Sequence, residues 1–410
     1  MKPIRFPEFD GLRATAALMV FGFHAWFIGL PVSDRLDWSS RLPSWGPRLL
    51  DSSIENLGPQ GVALFYVISG FLLYRPFLAA RASGTERSPL GGYLIRRGAR
   101  IFPAYWAALT IVGLLQDSKG LFTLSGVWDY YLFNHIYSSA TLYGNPIPSG
   151  WTLGVELSFY VFLALWVAVS DRLNLQRGDW FGRELTALSS LAAVSFGWLI
   201  WTLLDPSSSP RAFQPRLVAL PASLYVFAAG MALAAISVRV TEDHAARDSA
   251  AARFASFLSR RGWLIALTAL FLMSVYGALP GFGSGNWEGP VLVDSTLKVV
   301  TAVGLVGPAI FRAERRTIPL RLLGSRVALY LGLVSYGIYI WQLFVMERLF
   351  RGGRFHLELP TLWTFPAATA LALGATTLIA TASWFLLEKR VIRWAAALSG
   401  REGGERRVAR

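Results

Sequence analysis

Residues 9–30, FDGLRATAALMVFGFHAWFIGL, form an apolar run that is long enough to cross a bilayer as one helix. A membrane-spanning helix needs about 20 mainly apolar residues. Two ionisable residues, Arg13 and His24, interrupt the run. A charged side chain at the centre of such a helix costs about 2.5–3.5 kcal/mol on insertion scales. The pair therefore predicts a function that requires ionisable groups inside the membrane.

The remainder of the chain repeats this apolar pattern. Hydrophobic residues make up 54% of the 410 residues and charged residues 16%, which is unlike a soluble domain of this size. The sequence predicts an all-α polytopic membrane protein with about ten transmembrane helices. We assign 1–390 to one integral membrane domain and 391–410 to a short basic cytoplasmic tail. The candidate spans are 10–30, 60–79, 101–116, 150–169, 185–204, 217–236, 263–280, 293–311, 327–346 and 362–387.

The net charge of +14 is distributed unevenly between the two sides of these spans. If both termini are cytoplasmic, Lys and Arg are roughly threefold more numerous on the cytoplasmic side, as the positive-inside rule requires. The basic surplus is thus explained by topology and lipid contact, and we do not expect nucleic-acid binding. The chain contains no cysteine, which excludes disulfides and thiolate metal sites. The first run carries charge and precedes no cleavage site, so we expect a retained span and not a signal peptide.

Arg13 and His24 are eleven residues apart, close to three helical turns, and they share one helix face. In the predicted topology Arg13 lies near the cytoplasmic surface and His24 in the outer half of the span. Arg13 could instead be a snorkelling side chain, and His24 could bond to a neighbouring helix. Because histidine is rare inside membranes, we favour a functional interpretation of His24.

Glu156 lies in SGWTLGVELSFYVFLALW (149–166), about one and a half turns inside the outer end of the fourth span. At that depth it is level with His24. A neutral imidazole can act as a general base, and a carboxylate bonded to its other nitrogen fixes the tautomer. We hypothesise that Glu156 orients His24. The alternative is that Glu156 pairs with another buried donor.

A third group consists of arginines near the cytoplasmic ends of the first three spans. Arg75 ends the second span, and Arg96, Arg97 and Arg100 begin the third. The planar guanidinium binds phosphate oxygens in pairs, so these residues and Arg13 predict a phosphorylated cytoplasmic ligand. Ordinary positive-inside flanking and lipid headgroups are the alternative.

Weaker candidates lie in the second and ninth spans. Ser69 is adjacent to Gly70 in mid-span, where small residues usually permit close helix packing. The ninth span offers polar groups that could line a substrate cavity or join helices: Ser335, Tyr336, Tyr339 and Gln342. We expect the other histidines, His135, His244 and His356, to be solvated in loops. The polar gaps 31–59, 117–149 and 237–262 are predicted loops, and WDYYLFNHIY (128–137) is predicted to lie along the outer interface.

These motifs together resemble the membrane acyltransferase-3 family. FDGLRATAALMVFGFH (9–24) is similar to its opening motif, an arginine and a histidine separated by ten residues. Further similar segments occur in family order over nearly the whole chain. They are GPQGVALFYVISGFLLYR (58–75), YLIRRGARIFPAYW (93–106), WTLGVELSFY (151–160), SYGIYIWQ (335–342) and FLLEKR (385–390).

The resemblance implies a multi-spanning enzyme of the bacterial cytoplasmic membrane. Such enzymes move an acyl group, commonly acetyl from acetyl-CoA, onto sugars of envelope glycans, glycolipids or secreted metabolites. His24 is then the catalytic residue, Arg13 the essential first-span arginine and Glu156 a functional acid, while Arg75 and the Arg97–Arg100 region serve CoA. The sequence departs from the family pattern at two positions. Ala63 replaces a common acidic residue, and Gln342 replaces a common histidine, which weakens any role for a second histidine.

The expected reaction uses acyl-CoA as a co-substrate, with no bound cofactor and no metal. His24 would deprotonate an acceptor hydroxyl, which attacks the thioester, or would first carry the acyl group itself. Two alternatives remain: transfer to a small metabolite such as a macrolide, and a lipid-linked sugar transporter without chemistry. Transporters commonly contain inverted repeats, which we do not detect. Acceptor contacts are expected in the outer loops, where aromatic residues include Trp38, Trp45, Trp128 and Tyr143.

Overall fold

A computed structural model describes residues 6–30, 46–85, 89–142, 144–172, 179–205, 215–242, 249–278, 288–311, 317–350 and 364–399. Within these residues, ten helices are long and apolar enough to cross a membrane, and there is no strand. The all-α fold with about ten spanning helices is therefore confirmed. The helices are α1 (Glu8–Gly29), α2 (Gly46–Ala82), α3 (Leu90–Leu115), α4 (Gly150–Arg172), α5 (Trp180–Leu204), α6 (Leu220–Glu242), α7 (Ala250–Ala278), α8 (Glu288–Ile310), α9 (Arg326–Phe350) and α10 (Phe365–Ser383).

Several helices begin well before the apolar runs that predict them. Helix α2 begins at Gly46, α3 at Leu90 and α7 at Ala250, so parts of 31–59 and 237–262 are helical and not loop. Hydropathy detects the apolar centre of a helix but not its polar extension. The extension of α2 is held by tertiary contact, since Asp51 accepts a 2.9 Å hydrogen bond from the Trp26 indole. Two prolines, Pro59 and Pro76, lie inside α2.

Helix α2 is central, and it packs against α1, α6, α7 and α8. The contact with α6 depends on two glycines. A Cβ on Gly70 would lie 2.3 Å from the carbonyl oxygen of Phe227, and a Cβ on Gly230 would lie 2.2 Å from that of Val67. Any side chain would force these backbones apart. Close approach through small residues is typical of membrane helices, and it explains Gly70 as a packing residue.

Stacked aromatic rings join α2, α6 and α4 in one core. Tyr66 stacks on Phe227 with ring centroids 4.4 Å apart, and Phe227 stacks on Phe159 at 3.9 Å. All three rings are buried. The stack fixes α4 relative to α2, and so brings Glu156 of α4 to Ser69 of α2.

The segment between α3 and α4 contains short helical turns. Trp128 is 59% exposed, whereas His135 is fully buried. His135 Nδ1 lies 3.1 Å from the Asp129 carbonyl oxygen, and its Nε2 lies 3.0 Å from Asn145 Nδ2. The expectation that His135 is solvated is therefore wrong, because it organises this loop from within. His244, His356, Trp38, Trp45 and Tyr143 lie outside the described residues.

Helix α10 is followed directly by further helical residues. It continues through a π-helical turn, Trp384–Glu388, into α11 (Lys389–Leu398), which packs on α3. The first residues of the predicted basic tail are thus helical.

Candidate active site

An arginine cavity of about 70 Å³ lies inside the helix bundle, bounded by α1, α2, α3, α4 and α9. Its polar lining comprises Arg13, Ser69, Arg97, Arg100, Thr152, Glu156, Tyr160, Ser335, Tyr336 and Tyr339, with Tyr66 at its edge. Three guanidinium groups and one carboxylate give it a positive charge. Sites for drug-sized ligands measure about 300–1,000 Å³. This cavity therefore suits a small anionic or polar group and not a whole nucleotide.

The arginines of this cavity differ in how they are held. Arg13 Nη1 pairs with Asp10 Oδ1 at 3.1 Å, one turn earlier on α1. Arg97 Nε is buried and has no hydrogen-bond partner among the described residues. A buried donor without a partner is costly, so such a group indicates a ligand contact.

Glu156 belongs to the arginine cavity. Its Oε1 accepts hydrogen bonds from Ser69 Oγ at 2.8 Å and from Tyr160 Oη at 2.7 Å. It also lies close enough to Arg13 and Arg97 to interact with both electrostatically. The carboxylate thus balances part of the arginine charge.

The second cavity, the histidine cavity, measures about 580 Å³ and contains His24 in its wall. Most of the lining is apolar. The other polar and aromatic groups in the wall are Phe23, Tyr66, Ser149, Trp151, Ser223, Tyr225, Asp294, Ser295, Lys298 and Tyr339. This volume is within the range of small-molecule sites.

His24 is held loosely within this wall. The Gln342 side chain and the Val20 carbonyl approach the imidazole. Neither His24 Nδ1 nor Gln342 Oε1 forms a hydrogen bond of good geometry with another described residue. The ring thus lines the cavity, while its Nδ1 is itself buried beside Gln342 and Val20.

The two cavities adjoin at a septum formed by Val62, Tyr66 and Tyr339, which line both. Thr152 holds the two tyrosines. Its Oγ1 lies 2.7 Å from Tyr339 Oη, and its carbonyl oxygen accepts a 3.3 Å hydrogen bond from Tyr66 Oη. Because α1 rises about 1.5 Å per residue, Arg13 and His24 are about 16 Å apart along its axis. One helix therefore contributes a cation to one cavity and an imidazole to the other.

Most of the residues chosen from the sequence meet at these cavities. Ser69, Tyr336 and Tyr339 line the arginine cavity, and Tyr336 also donates a 2.7 Å hydrogen bond to the Ile101 carbonyl. Gln342 is fully buried beside His24 and is not in either cavity's lining.

The structure places Glu156 and Arg75 differently from the hypotheses drawn from the sequence. Glu156 and His24 line different cavities, and the hydrogen bonds that Glu156 accepts come from Ser69 and Tyr160. Arg75 is buried against α6, where its Nε donates to Ser237 Oγ at 3.1 Å, and it is not in the lining of the arginine cavity.

Asp294, Lys298 and Thr152 had no assigned role in the sequence. Asp294 and Lys298 were detectable as an Asp–Lys pair, four residues apart, inside an apolar run. Thr152 carried no signal, since a threonine in an apolar helix is common. Among the described residues, no group of three or more His, Asp or Glu side chains is arranged to hold a metal ion.

Comparison with known proteins identifies the family. Residues 6–384 match the acyltransferase domain of the acyltransferase-3 type. The chain belongs to the acyltransferase-3 family. It is therefore a multi-helix membrane acyltransferase, and the transporter alternative is not supported. The arginine and histidine cavities both lie within the matched region.

Two relatives illustrate the range of the family. Nodulation protein 10 of Rhizobium leguminosarum bv. viciae is 25% identical over 414 residues, covering 96% of this chain and 95% of the relative. The peptidoglycan O-acetyltransferase OatA of Listeria monocytogenes is 23% identical over 352 residues, covering 82% of this chain. That match covers 48% of OatA, so the chain spans about half the length of this relative. No solved structure matches the chain.

Proposed function

We propose that this acyltransferase moves an acyl group, in the first instance acetyl, from acyl-CoA to a hydroxyl of a glycan or glycolipid. The donor thioester enters the arginine cavity from the cytoplasm, and the acceptor enters the histidine cavity from the opposite side. The observation that carries the proposal is the contact between the two cavities at Val62, Tyr66 and Tyr339. An acyl group at this septum would be reachable from both sides.

The donor assignment rests on charge and size. The arginine cavity contains three positive charges, from Arg13, Arg97 and Arg100, and one negative charge, from Glu156. The excess of positive charge favours an anion. Its volume of about 70 Å³ admits a phosphate or the thioester end of the donor but not the nucleotide. The rest of CoA would therefore remain outside the cavity. The positive-inside distribution of Lys and Arg supports a cytoplasmic entrance.

The acceptor assignment rests on the relatives and on the second cavity. OatA is named a peptidoglycan O-acetyltransferase, which supports an envelope glycan as acceptor. The histidine cavity combines Trp151 and Tyr225 with several hydroxyl and charged groups. Aromatic faces with a few polar groups suit a sugar ring.

His24 is the proposed general base. The imidazole takes the proton of the acceptor hydroxyl as that oxygen attacks the thioester carbonyl carbon. The tetrahedral intermediate then collapses, the carbon–sulfur bond breaks, and the departing CoA sulfur receives the proton from the imidazolium. In the two-step alternative, His24 carries the acyl group between donor and acceptor. Glu156 is proposed to act on the donor side, where it balances the arginines.

The test uses membranes that contain the protein and acetyl-CoA labelled in the acetyl group. We expect base-labile label in a glycan or lipid fraction, and its loss in His24→Ala at matched protein level. Lys119→Ala is the control, since Lys119 is 86% exposed and lines neither cavity. Label in a small soluble product instead would favour the metabolite acceptor. If the wild type neither binds nor consumes acyl-CoA, the proposed donor is wrong.

A further inference from the structure

An ion pair lies inside the histidine cavity, and the proposed chemistry does not use it. Lys298 Nζ is 2.8 Å from Asp294 Oδ2, one turn earlier on α8, and both side chains line the cavity. The Lys298 side chain is 18% exposed. It lies about 15 Å from the first residue of α8, near the middle of a helix that is long enough to span. Ionisable residues at such positions are costly and usually functional.

The charges around the pair restrict which ligand it can bind. Asp294 and Asp51 both lie close enough to Glu55 to interact with it electrostatically. Lys298 itself interacts with Asp294, and Asp294 in turn interacts with Glu55, so carboxylates outnumber the single ammonium group in this part of the molecule. An anionic ligand that approached the lysine would be repelled by the acidic groups, and it would have to displace Asp294.

We propose that Asp294 and Lys298 bind the hydroxyl groups of an uncharged sugar and thereby present another of its hydroxyls to His24. This inference rests on the proposed function and specifies its acceptor class. A carboxylate accepts hydrogen bonds from hydroxyl hydrogens, and an ammonium group donates to hydroxyl oxygens. A carboxylate beside an ammonium group can therefore bind two adjacent sugar hydroxyls, because each hydroxyl can both donate and accept a hydrogen bond.

The remainder of the cavity fits the same ligand. Trp151 and Tyr225 line it together with the ion pair and His24, so a ring face and its hydroxyl edge both have partners. The volume of about 580 Å³ accommodates a ligand on the scale of one or two sugar rings. The His24 side chain lies in the same wall. Recognition and proton removal thus share one cavity.

The experiment measures glycan binding to the purified full-length chain in detergent by isothermal titration calorimetry. The neutral probe is the disaccharide of N-acetylglucosamine. The anionic probe of equal length is the hyaluronan disaccharide, which carries one carboxylate. We expect the wild type to bind the neutral probe at least tenfold more tightly than the anionic probe.

Single substitutions distinguish the contribution of Lys298 from that of Asp294. Lys298→Met is expected to weaken binding of the neutral probe at least tenfold. Asp294→Asn is expected to weaken it similarly and to improve binding of the anionic probe, because Lys298 then lacks its counter-ion. The double variant Asp294→Asn/Lys298→Met leaves no uncompensated charge, so it tests the loss of affinity even if a single variant fails to fold. Thermal unfolding confirms that each sample is folded.

Three results would overturn the inference: neither probe binds the wild type, the anionic probe binds it more tightly, or the double variant binds the neutral probe within twofold of wild type. Binding of labelled acetyl-CoA and acyl transfer in membranes are measured on the same variants. If the wild type transfers acetyl groups while the double variant keeps the acceptor KM unchanged, the inference fails and the proposed function stands. If the wild type binds no acetyl-CoA and transfers nothing, the proposed function itself fails.

Discussion

Arg97 and Arg75 provide the sharpest test of the donor site, because the sequence treats them alike and the structure separates them. Arg97 lines the arginine cavity and its buried Nε has no described partner. Arg75 is buried against α6, where Ser237 and Thr241 accept its hydrogen bonds at 3.1 and 3.4 Å. We therefore predict that Arg97→Met weakens acyl-CoA binding, whereas Arg75→Met lowers stability.

The magnitudes follow from the contacts that each substitution removes. One hydrogen bond to a charged group contributes about 1.5–3 kcal/mol, so Arg97→Met should raise the Kd for acetyl-CoA about ten- to hundredfold. It breaks no hydrogen bond from Nε and should leave the unfolding temperature nearly unchanged. Arg75→Met leaves the buried Ser237 hydroxyl without its donor, which should cost about 1–3 kcal/mol of stability. Its donor Kd should stay within twofold of wild type.

The assay measures binding of radiolabelled acetyl-CoA to purified protein in detergent, alongside thermal unfolding followed by tryptophan fluorescence. Methionine preserves much of the length and apolar stem of arginine in both variants, which makes them a matched pair. The reasoning would be refuted if Arg75→Met weakened donor binding as much as Arg97→Met. An unchanged Kd in Arg97→Met would likewise refute it.

Three further predictions concern other parts of the fold. Glu156→Gln keeps a hydrogen-bond acceptor for Ser69 and removes the negative charge. We expect kcat to fall about tenfold or more, while donor binding stays the same or becomes tighter. Weaker donor binding with a normal kcat would contradict this. Gly70→Ala places a Cβ 2.3 Å from the Phe227 carbonyl oxygen and should destabilise the protein by about 1–3 kcal/mol, measured as a lower unfolding temperature. Burial lowers the pKa of His135 below its ordinary value of 6.5, so the unfolded chain binds a proton that the folded chain rejects. Stability should therefore fall as the pH drops below about 6.5, and a smaller fall in His135→Gln would confirm the cause.

The sequence predicts the number of spanning helices well because the bilayer core requires each of them to be mainly apolar. A spanning helix must be apolar for about 20 residues, and that requirement is readable without any tertiary information. The ends of the helices lie outside the bilayer core and need not be apolar. The polar start of α2 is held by the contact between Trp26 and Asp51, and such a contact is invisible in one-dimensional hydropathy.

The sequence predicts how far along its helix each site residue lies, but not which neighbouring helix or cavity it faces. His24 and Glu156 are level in the predicted topology, yet they line different cavities. Arg75 and Arg100 are both flanked by apolar residues, yet Arg75 faces α6 and Arg100 faces the arginine cavity. Position along a spanning helix gives depth, whereas the rotation and neighbours of each helix depend on packing. The glycine contact of α2 with α6 and the aromatic stack to α4 determine these, and their partners are far apart in the sequence.

The separation of the two cavities fits the proposed reaction. The proposed donor, acyl-CoA, is highly charged and the proposed acceptor is neutral, so a cavity suited to one is poorly suited to the other. With a cavity for each, the acyl group alone has to pass the septum of Val62, Tyr66 and Tyr339. Helix α4 connects the two functions, because Thr152, which holds both tyrosines, lies one turn before Glu156 on the same helix face. A shift of α4 on donor binding would therefore act directly on the two hydrogen bonds between Thr152 and the septum tyrosines.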